Sequence, residues 1–218
     1  LLYDKAGARP SLDLDFAGTS SLRDKITGEY LVDHTRASTG TYIDSEGLVK
    51  EAQVNYITNH KGLTSGAGSE TIVNPEGVEE SMGTIAASQL SSINHKNHRF
   101  SGHSFSLGGD TTYAFSIYMR TDQGTALIQM DTNDNAIQVV TVTDQWQRFS
   151  VVETSIASNP YRFADILQSD GSGNYGFNTW GGGASKVYVW GAQLEKHQVT
   201  DLIKTTNTIN SAPRFTHE

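Results

Sequence analysis

Apolar residues recur at every second position along much of this chain. Tyr113–Met119, Ala126–Met130, Ile137–Val142, Trp146–Val152 and Arg162–Leu167 carry the alternation, and Leu12, Leu14 and Phe16 share one side of a short early segment. A period of two puts successive side chains on opposite faces of a pleated strand, so each segment reads as a half-buried β-strand. Between them lie turn-forming clusters: Gly108–Asp110, Thr121–Gly124, Asp131–Asn135, Ser169–Asn174 and Gly181–Gly183. Many short strands, each closed by such a cluster, predict an all-β fold, an antiparallel β-sandwich. Helix is expected only in short pieces, around Ser21–Lys25 and Glu76–Glu80. The expected core is Phe115, Ile117, Leu127, Val140, Phe149, Val151, Val189 and Leu194.

Lys186–Glu195 shows the same alternation, with Val187, Val189 and Ala192 as its apolar positions and Gly191 where the phase changes. A glycine at a phase change is the mark of a β-bulge or a close backbone approach. The segments group into three parts. Residues 1–52 form an arm holding a strand and a hairpin that turns at Asp44–Gly47. Residues 53–195 form the sandwich, opening with Val54–Thr58. Residues 196–218 form a polar tail. Arm and tail hold too little apolar material for a core of their own. They are expected to dock on the sandwich or on a neighbouring subunit, since a lone hairpin is marginal in water.

Composition removes several classes of function. A chain of 218 residues buries roughly 70% of its unfolded surface and needs no covalent staples. There is no cysteine, which excludes disulfides, thiolate metal sites and a cysteine nucleophile. A net charge of −8 with no basic stripe argues against a nucleic-acid partner. No apolar run approaches the ~20 residues of a membrane span. Leu1–Asp4 lacks the basic region and apolar core of a signal peptide, and a start without Met leads us to expect a fragment of a longer polypeptide.

Candidate catalytic chemistry is thin. His95 and His98 have an i, i+3 spacing that suits a metal only on a helix, and Ser92–Arg99 reads as a polar loop, as does the stretch reaching His103. Glu76, Glu79 and Glu80 are carboxylates of the kind glycoside hydrolysis uses in pairs, but they read as a charged surface turn. No Gly-x-Ser-x-Gly elbow is present, and Gly181–Gly183 lacks the lysine of a phosphate loop. Asp131–Asn135 alternates oxygen side chains, as a calcium site does, yet lacks a distal bidentate glutamate. No cofactor is expected.

The aromatic residues divide. Trp146 and Trp190 sit in strand phrases and read as packing residues. Trp180 lies in a loop, Gly173–Gly183, whose glycines leave rings uncovered. A sugar offers an apolar C–H face and a rim of hydroxyls, which suits a flat ring beside side-chain amides. Trp180, Tyr175, Asn174 and Asn178 meet that requirement and form the candidate carbohydrate site. The competing reading makes Trp180 a core or interface plug.

Three segments carry a resemblance. Arg36–Asp44 with Gly47–Lys50 resembles the N-terminal hairpin of jelly-roll domains in tailed-phage virion proteins, and Lys186–Glu195 resembles their closing strand. Thr143–Ser150 is similar to the approach to their penultimate strand, a phrase shared with galactose-binding-like carbohydrate-binding modules. One departure is that a Pro-Arg-Phe phrase, which usually follows the hairpin, here stands at Pro213–Phe215. The resemblance implies a jelly roll with no enzymatic activity: a structural module of a tail fibre, tailspike, baseplate or capsid decoration at the virion surface. It also implies other virion proteins as partners, a homo-oligomer with a trimer favoured, and glycan adhesion. A structural calcium between first and last strands, near Asn55 or Glu195, belongs to the same implication. The alternative is a carbohydrate-binding accessory domain of a polysaccharide-degrading enzyme, with a stand-alone lyase or hydrolase as outsider.

Overall fold

A computed structural model describes residues 12–15, 22–29, 31, 32, 34, 36, 40–43, 46–58, 60, 61, 68–86, 98, 99, 105, 106, 111–131, 137–154, 161, 162, 165–168, 181–206, 210 and 211. Early strands are β1 (Thr41–Ile43), β2 (Val49–Glu51), β3 (Val54–Asn55), β4 (Gly68–Val73), β5 (Glu79–Ala86), β6 (His98–Arg99) and β7 (Phe105–Ser106). They are followed by β8 (Thr112–Thr121), β9 (Thr125–Asp131), β10 (Ile137–Val142), β11 (Gln147–Thr154), β12 (Tyr161–Arg162) and β13 (Asp165–Gln168). The last are β14 (Gly181–Gly182), β15 (Lys186–Lys196) and β16 (Asn210–Ser211).

One five-stranded sheet runs β11-β8-β15-β5-β4, and a second runs β10-β9-β13-β6 with β14 also on β9. Their ladders are antiparallel. The sheets share one core, to which β8 gives Tyr113, Phe115, Ile117 and Met119, and β9 gives Ala126, Ile128 and Met130. Val140 and Val142 of β10, Val151 of β11 and Val187, Val189, Ala192 and Leu194 of β15 complete it. The chain is therefore an all-β antiparallel sandwich.

Three expectations need correction here. Leu127 is only half-buried, because Ala126, Ile128 and Met130 take the inward phase of β9, and Phe149 is likewise only partly buried, packing against the core rather than within it. Among the described residues no helix is present. Glu76–Glu80 is the end of a hairpin turn and the start of β5: the Gly77 N–H donates to the Asn74 carbonyl at 3.0 Å, and Gly77 sits at φ 82°. Asn-Pro-x-Gly favours that turn, with the glycine taking the left-handed position. Lys25–Thr27 is also a turn. Leu12–Asp15 forms no strand either; the Asp13 N–H donates to Asp24 Oδ1 at 2.7 Å instead of to a ladder.

Gly191 is a bulge. The register passes from Trp190↔Tyr118 to Gln193↔Ser116, so β15 carries one residue more than β8 opposite. The inward set accordingly changes from Val187 and Val189 to Ala192 and Leu194. Gly191 has φ 66°, and a Cβ there would lie 3.0 Å from Tyr118 Cδ2. Gly191→Ala is expected to lower stability by roughly 1–2 kcal/mol, visible in a thermal melt. An unchanged melting temperature would mean the bulge is not needed.

The bulge also opens the sheet. β15 pairs with β5 only as far as Val189↔Gly83. Beyond that point the segment after β3 fills the gap: Ala192 N–H donates to the His60 carbonyl at 3.1 Å and Gly83 N–H to the Lys61 carbonyl at 3.1 Å. The tail is held to β11 and β15, where Arg148 donates to the Thr200 carbonyl at 2.7 Å and the Ile203 N–H to Gln193 Oε1 at 2.6 Å. Arm and tail then clasp each other. The Asn210 side chain donates to the His34 and Lys204 carbonyls at 2.9 and 2.8 Å and accepts from the Arg36 N–H at 2.6 Å.

Candidate functional site

Where β5 and β15 part, they leave a pocket of about 360 Å³. Its walls come from distant pieces of chain. The β4–β5 turn supplies Asn74, Glu76 and Val78, β5 supplies Glu80, and β15 supplies Trp190. His60 and Lys61 come from the inserted segment, Lys204, Thr205, Thr206 and Asn210 from the tail, and His34 from the arm.

Glu80 is the electrostatic centre. Its Oε1 accepts from Asn74 Nδ2 at 2.6 Å and from the Trp190 indole N–H at 2.5 Å, and its Oε2 accepts from Lys61 Nζ. Burial alone would push the carboxyl up, but those hydrogen bonds and the lysine charge together outweigh it and hold Glu80 below the usual carboxylate range. Glu76 pairs with Lys204 at 2.7 Å. Both carboxylate side chains are only 15% exposed, so only Glu79 of the expected charged turn faces solvent. Each wall carboxylate has a lysine counter-ion.

His60 is 1% exposed. Its Nδ1 lies 2.5 Å from the Thr205 carbonyl oxygen, while the Thr205 N–H points at the same nitrogen from 3.0 Å. One tautomer cannot satisfy both contacts. The shorter decides, because two lone pairs repel at that separation; the ring is thereby assigned its proton on Nδ1, donated to the carbonyl. Burial pushes the imidazole down to about 4, so the ring is neutral near pH 7. Among the described residues its Nε2 finds no hydrogen-bond partner, and neither do His34 Nε2 and Thr205 Oγ1. Orphaned polar atoms are costly in a closed interior. All three belong to residues that line one pocket, although the atoms themselves are buried.

Trp190 is 1% exposed, with its ring edge-on to His60 at 5.8 Å and to Tyr118 at 5.5 Å. It packs as expected and also aims its N–H at Glu80. Trp146 donates to the Val73 carbonyl at 3.0 Å. Trp180, Tyr175, Asn174 and Asn178 lie outside the described residues, as do His95, His103 and most of the Asp131–Asn135 turn.

Asn55 and Glu195 are brought to the junction of first and last strands. The Asn55 amide donates to the Ala192 and Ile203 carbonyls, both at 3.0 Å, and accepts from Ile57 N–H at 3.0 Å and Leu194 N–H at 3.1 Å. That uses every position of the amide and leaves its oxygen no lone pair for a cation. Glu195 accepts from the Thr200 N–H at 3.1 Å and from the Thr200 hydroxyl. These side chains tie strands to tail.

No protein-family model matches this chain, and no curated protein matches it. Solved structures do. The chain is similar to a CBM4 carbohydrate-binding module at 18% identity, over 61% of this chain and 79% of that one, with a TM-score of 0.40. It is similar to the N-terminal CBM22-1–CBM22-2 tandem domain of Paenibacillus barcinonensis Xyn10C at 8% identity, over 68% and 46%, with a TM-score of 0.39. The Stig cyclase Fisc from Fischerella sp. TAU, bound to (3Z)-3-(1-methyl-2-pyrrolidinylidene)-3H-indole, is similar at 12% identity, over 87% and 98%, with a TM-score of 0.35. Likenesses this distant assign the chain neither ligand nor reaction.

Proposed function

We propose that this chain is a non-enzymatic, glycan-adhesive β-sandwich module of a phage virion. The observation that carries adhesion is the pocket at the bulge, whose wall combines amides, imidazoles, a hydroxyl and an indole edge. Its size is near the lower end of the ~300–1,000 Å³ of small-ligand sites. Binding suits it better than glycoside hydrolysis. A hydrolase needs one carboxyl raised so that it can act as an acid, and the donors around Glu80 lower it. The virion assignment and the trimer rest on the resemblance of Arg36–Asp44, Thr143–Ser150 and Lys186–Glu195.

Glycan-array binding together with an assay for released reducing ends tests this reading. Saturable binding without release is expected; release of reducing ends, or an array with no hit, would overturn it. The loop residues Trp180, Tyr175, Asn174 and Asn178 are a second proposed sugar contact. Trp180→Ala is expected to weaken glycan binding by roughly 1–3 kcal/mol with little change in melting temperature. A stability loss of roughly 3–5 kcal/mol instead would make Trp180 a packing residue.

A second reading, an accessory domain of a polysaccharide-degrading enzyme, is favoured by one observation. The described parts of arm and tail clasp each other through Asn210 and lie on their own sandwich. Mass measurement separates the two readings: virion incorporation and a trimer favour the first, a soluble monomer the second.

A further inference from the structure

We propose that Lys61 and Asn74 join in an intramolecular isopeptide bond, which the chain forms on itself with Glu80 as the proton carrier. The three residues lie in the pocket wall, but the bond does not depend on what the pocket binds. One carboxylate touches both reaction partners: Glu80 Oε1 accepts from Asn74 Nδ2 at 2.6 Å, and Oε2 accepts from Lys61 Nζ. Amine and amide are thereby brought to the two oxygens of a single group. The Trp190 indole N–H, 2.5 Å from Oε1, holds that group in place. Asn74 is also activated at its other atom, since its Oδ1 accepts from the Glu76 N–H at 2.8 Å and the Val78 N–H at 2.9 Å. Two backbone donors on one carbonyl oxygen draw electrons from Cγ and can stabilise the oxyanion of a tetrahedral intermediate. An Asx turn alone accounts for the Oδ1 contacts, but it does not require the amide nitrogen to share a carboxylate with a lysine. Asn74 is buried and the Glu80 side chain nearly so, so little water competes with the amine.

A lysine amine is a competent nucleophile once a neighbouring base removes its proton. Against the push of burial, hydrogen bonds and the lysine charge keep the Glu80 carboxyl below the usual range, so it stands in the accepting form. Glu80 takes a proton from the Lys61 ammonium, and the neutral Nζ attacks Cγ of Asn74 while the carbonyl electron pair moves onto Oδ1. As that pair returns, the Cγ–Nδ2 bond breaks. Two protons pass from the attacking to the leaving nitrogen by way of Glu80. Ammonium departs with the positive charge of Lys61, and the carboxylate is restored. No oxidant or cofactor enters the balance. The ordinary route of ammonia loss from asparagine is closed here, because residue 75 is proline and has no backbone N–H to close a ring on Cγ. The product ties the β4–β5 turn to the segment that fills the gap beside the bulge. In a chain without cysteine, no disulfide can do so.

The experiment weighs the whole folded chain by intact mass spectrometry, then digests it and sequences the fragments. The expected mass is that of the sequence less one ammonia, with a branched peptide joining Lys61 to Asn74. Lys61→Arg and Glu80→Gln are expected to keep their full sequence masses. Asn74→Asp is expected to cross-link with loss of water in place of ammonia, a signature that no hydrogen bond leaves. Lys61→Arg keeps a cation beside Glu80, so its melting temperature reports the missing bond. It is expected to fall roughly 5–10 °C below the parent's, the effect of no longer closing a short loop in the unfolded chain. A parent chain at its full sequence mass would overturn the proposal. So would ammonia loss mapped elsewhere with no branched peptide. A branched peptide that persists in Glu80→Gln would overturn the part given to Glu80. The parent's mass decides the central point even where a variant fails to fold, and none of these outcomes bears on glycan binding.

Discussion

Asn55→Ala is expected to destabilise the fold by roughly 3–5 kcal/mol, because it strands two buried carbonyls and two buried N–H groups at once. The amide holds Ala192 and Leu194 of the closing strand, Ile57 of the inserted segment and Ile203 of the tail. Asn55 is 0% exposed, so water cannot replace those bonds. Asn55→Asp keeps the shape but turns an oxygen toward two carbonyls, and is expected to do at least as much harm. Urea unfolding gives both values. A loss below about 1 kcal/mol, within the range of one ordinary hydrogen bond, would show that the junction relaxes and is not the tie described above.

The second large effect is on acid stability. The His60 imidazole is pushed from its usual 6.5 to about 4, chiefly by burial. Above pH 6.5 the ring is neutral in both folded and unfolded chains, and its contribution is at its most favourable. As pH falls from about 6.5 toward 4, the unfolded chain takes up a proton that the folded chain refuses, and stability declines. The decline amounts to about 3 kcal/mol at 1.36 kcal/mol per unit. His34, also pushed down by burial, acts in the same direction, whereas Glu195, pushed up by burial, acts in the opposite one. Lys61, Lys204, Glu76 and Glu80 stand around the ring in the same pocket. The difference between the parent and His60→Asn, measured by denaturant unfolding from pH 7 to pH 4, isolates the imidazole. A difference that does not change with pH would mean that His60 titrates normally and is not sealed from water.

The legible and illegible parts of this molecule differ in physical origin. Alternation along β8, β10 and β11 is a local property, and it placed Phe115, Ile117, Val140 and Val151 in the core correctly. Gly191 was readable because a glycine at a change of phase has few other uses in a strand. Leu127 was not, since Ala126–Met130 carries apolar residues in both phases and only the opposing sheet decides between them. The Asn74–Gly77 turn had its signal in Asn-Pro-x-Gly, but the carboxylates around it suggested a charged helical piece. The pocket had no local signal. His60, Lys61, Glu80, Trp190 and Lys204 are separated by up to 144 residues in number, and they meet only because the bulge parts β5 from β15. Nor does a sequence show that the Nε2 of His60 goes unpartnered. That is a property of the packed tail.

The most direct test of non-catalytic glycan binding at the bulge pocket uses the indole signals of the three tryptophans. These are assigned by single replacement with phenylalanine, and the chain is titrated with a glycan identified on the array. The account predicts that the Trp190 N–H, which donates to Glu80 in the pocket wall, shifts saturably with the same dissociation constant as the whole binding event, while the glycan remains intact. Saturable binding that leaves the Trp190 signal unmoved would contradict it.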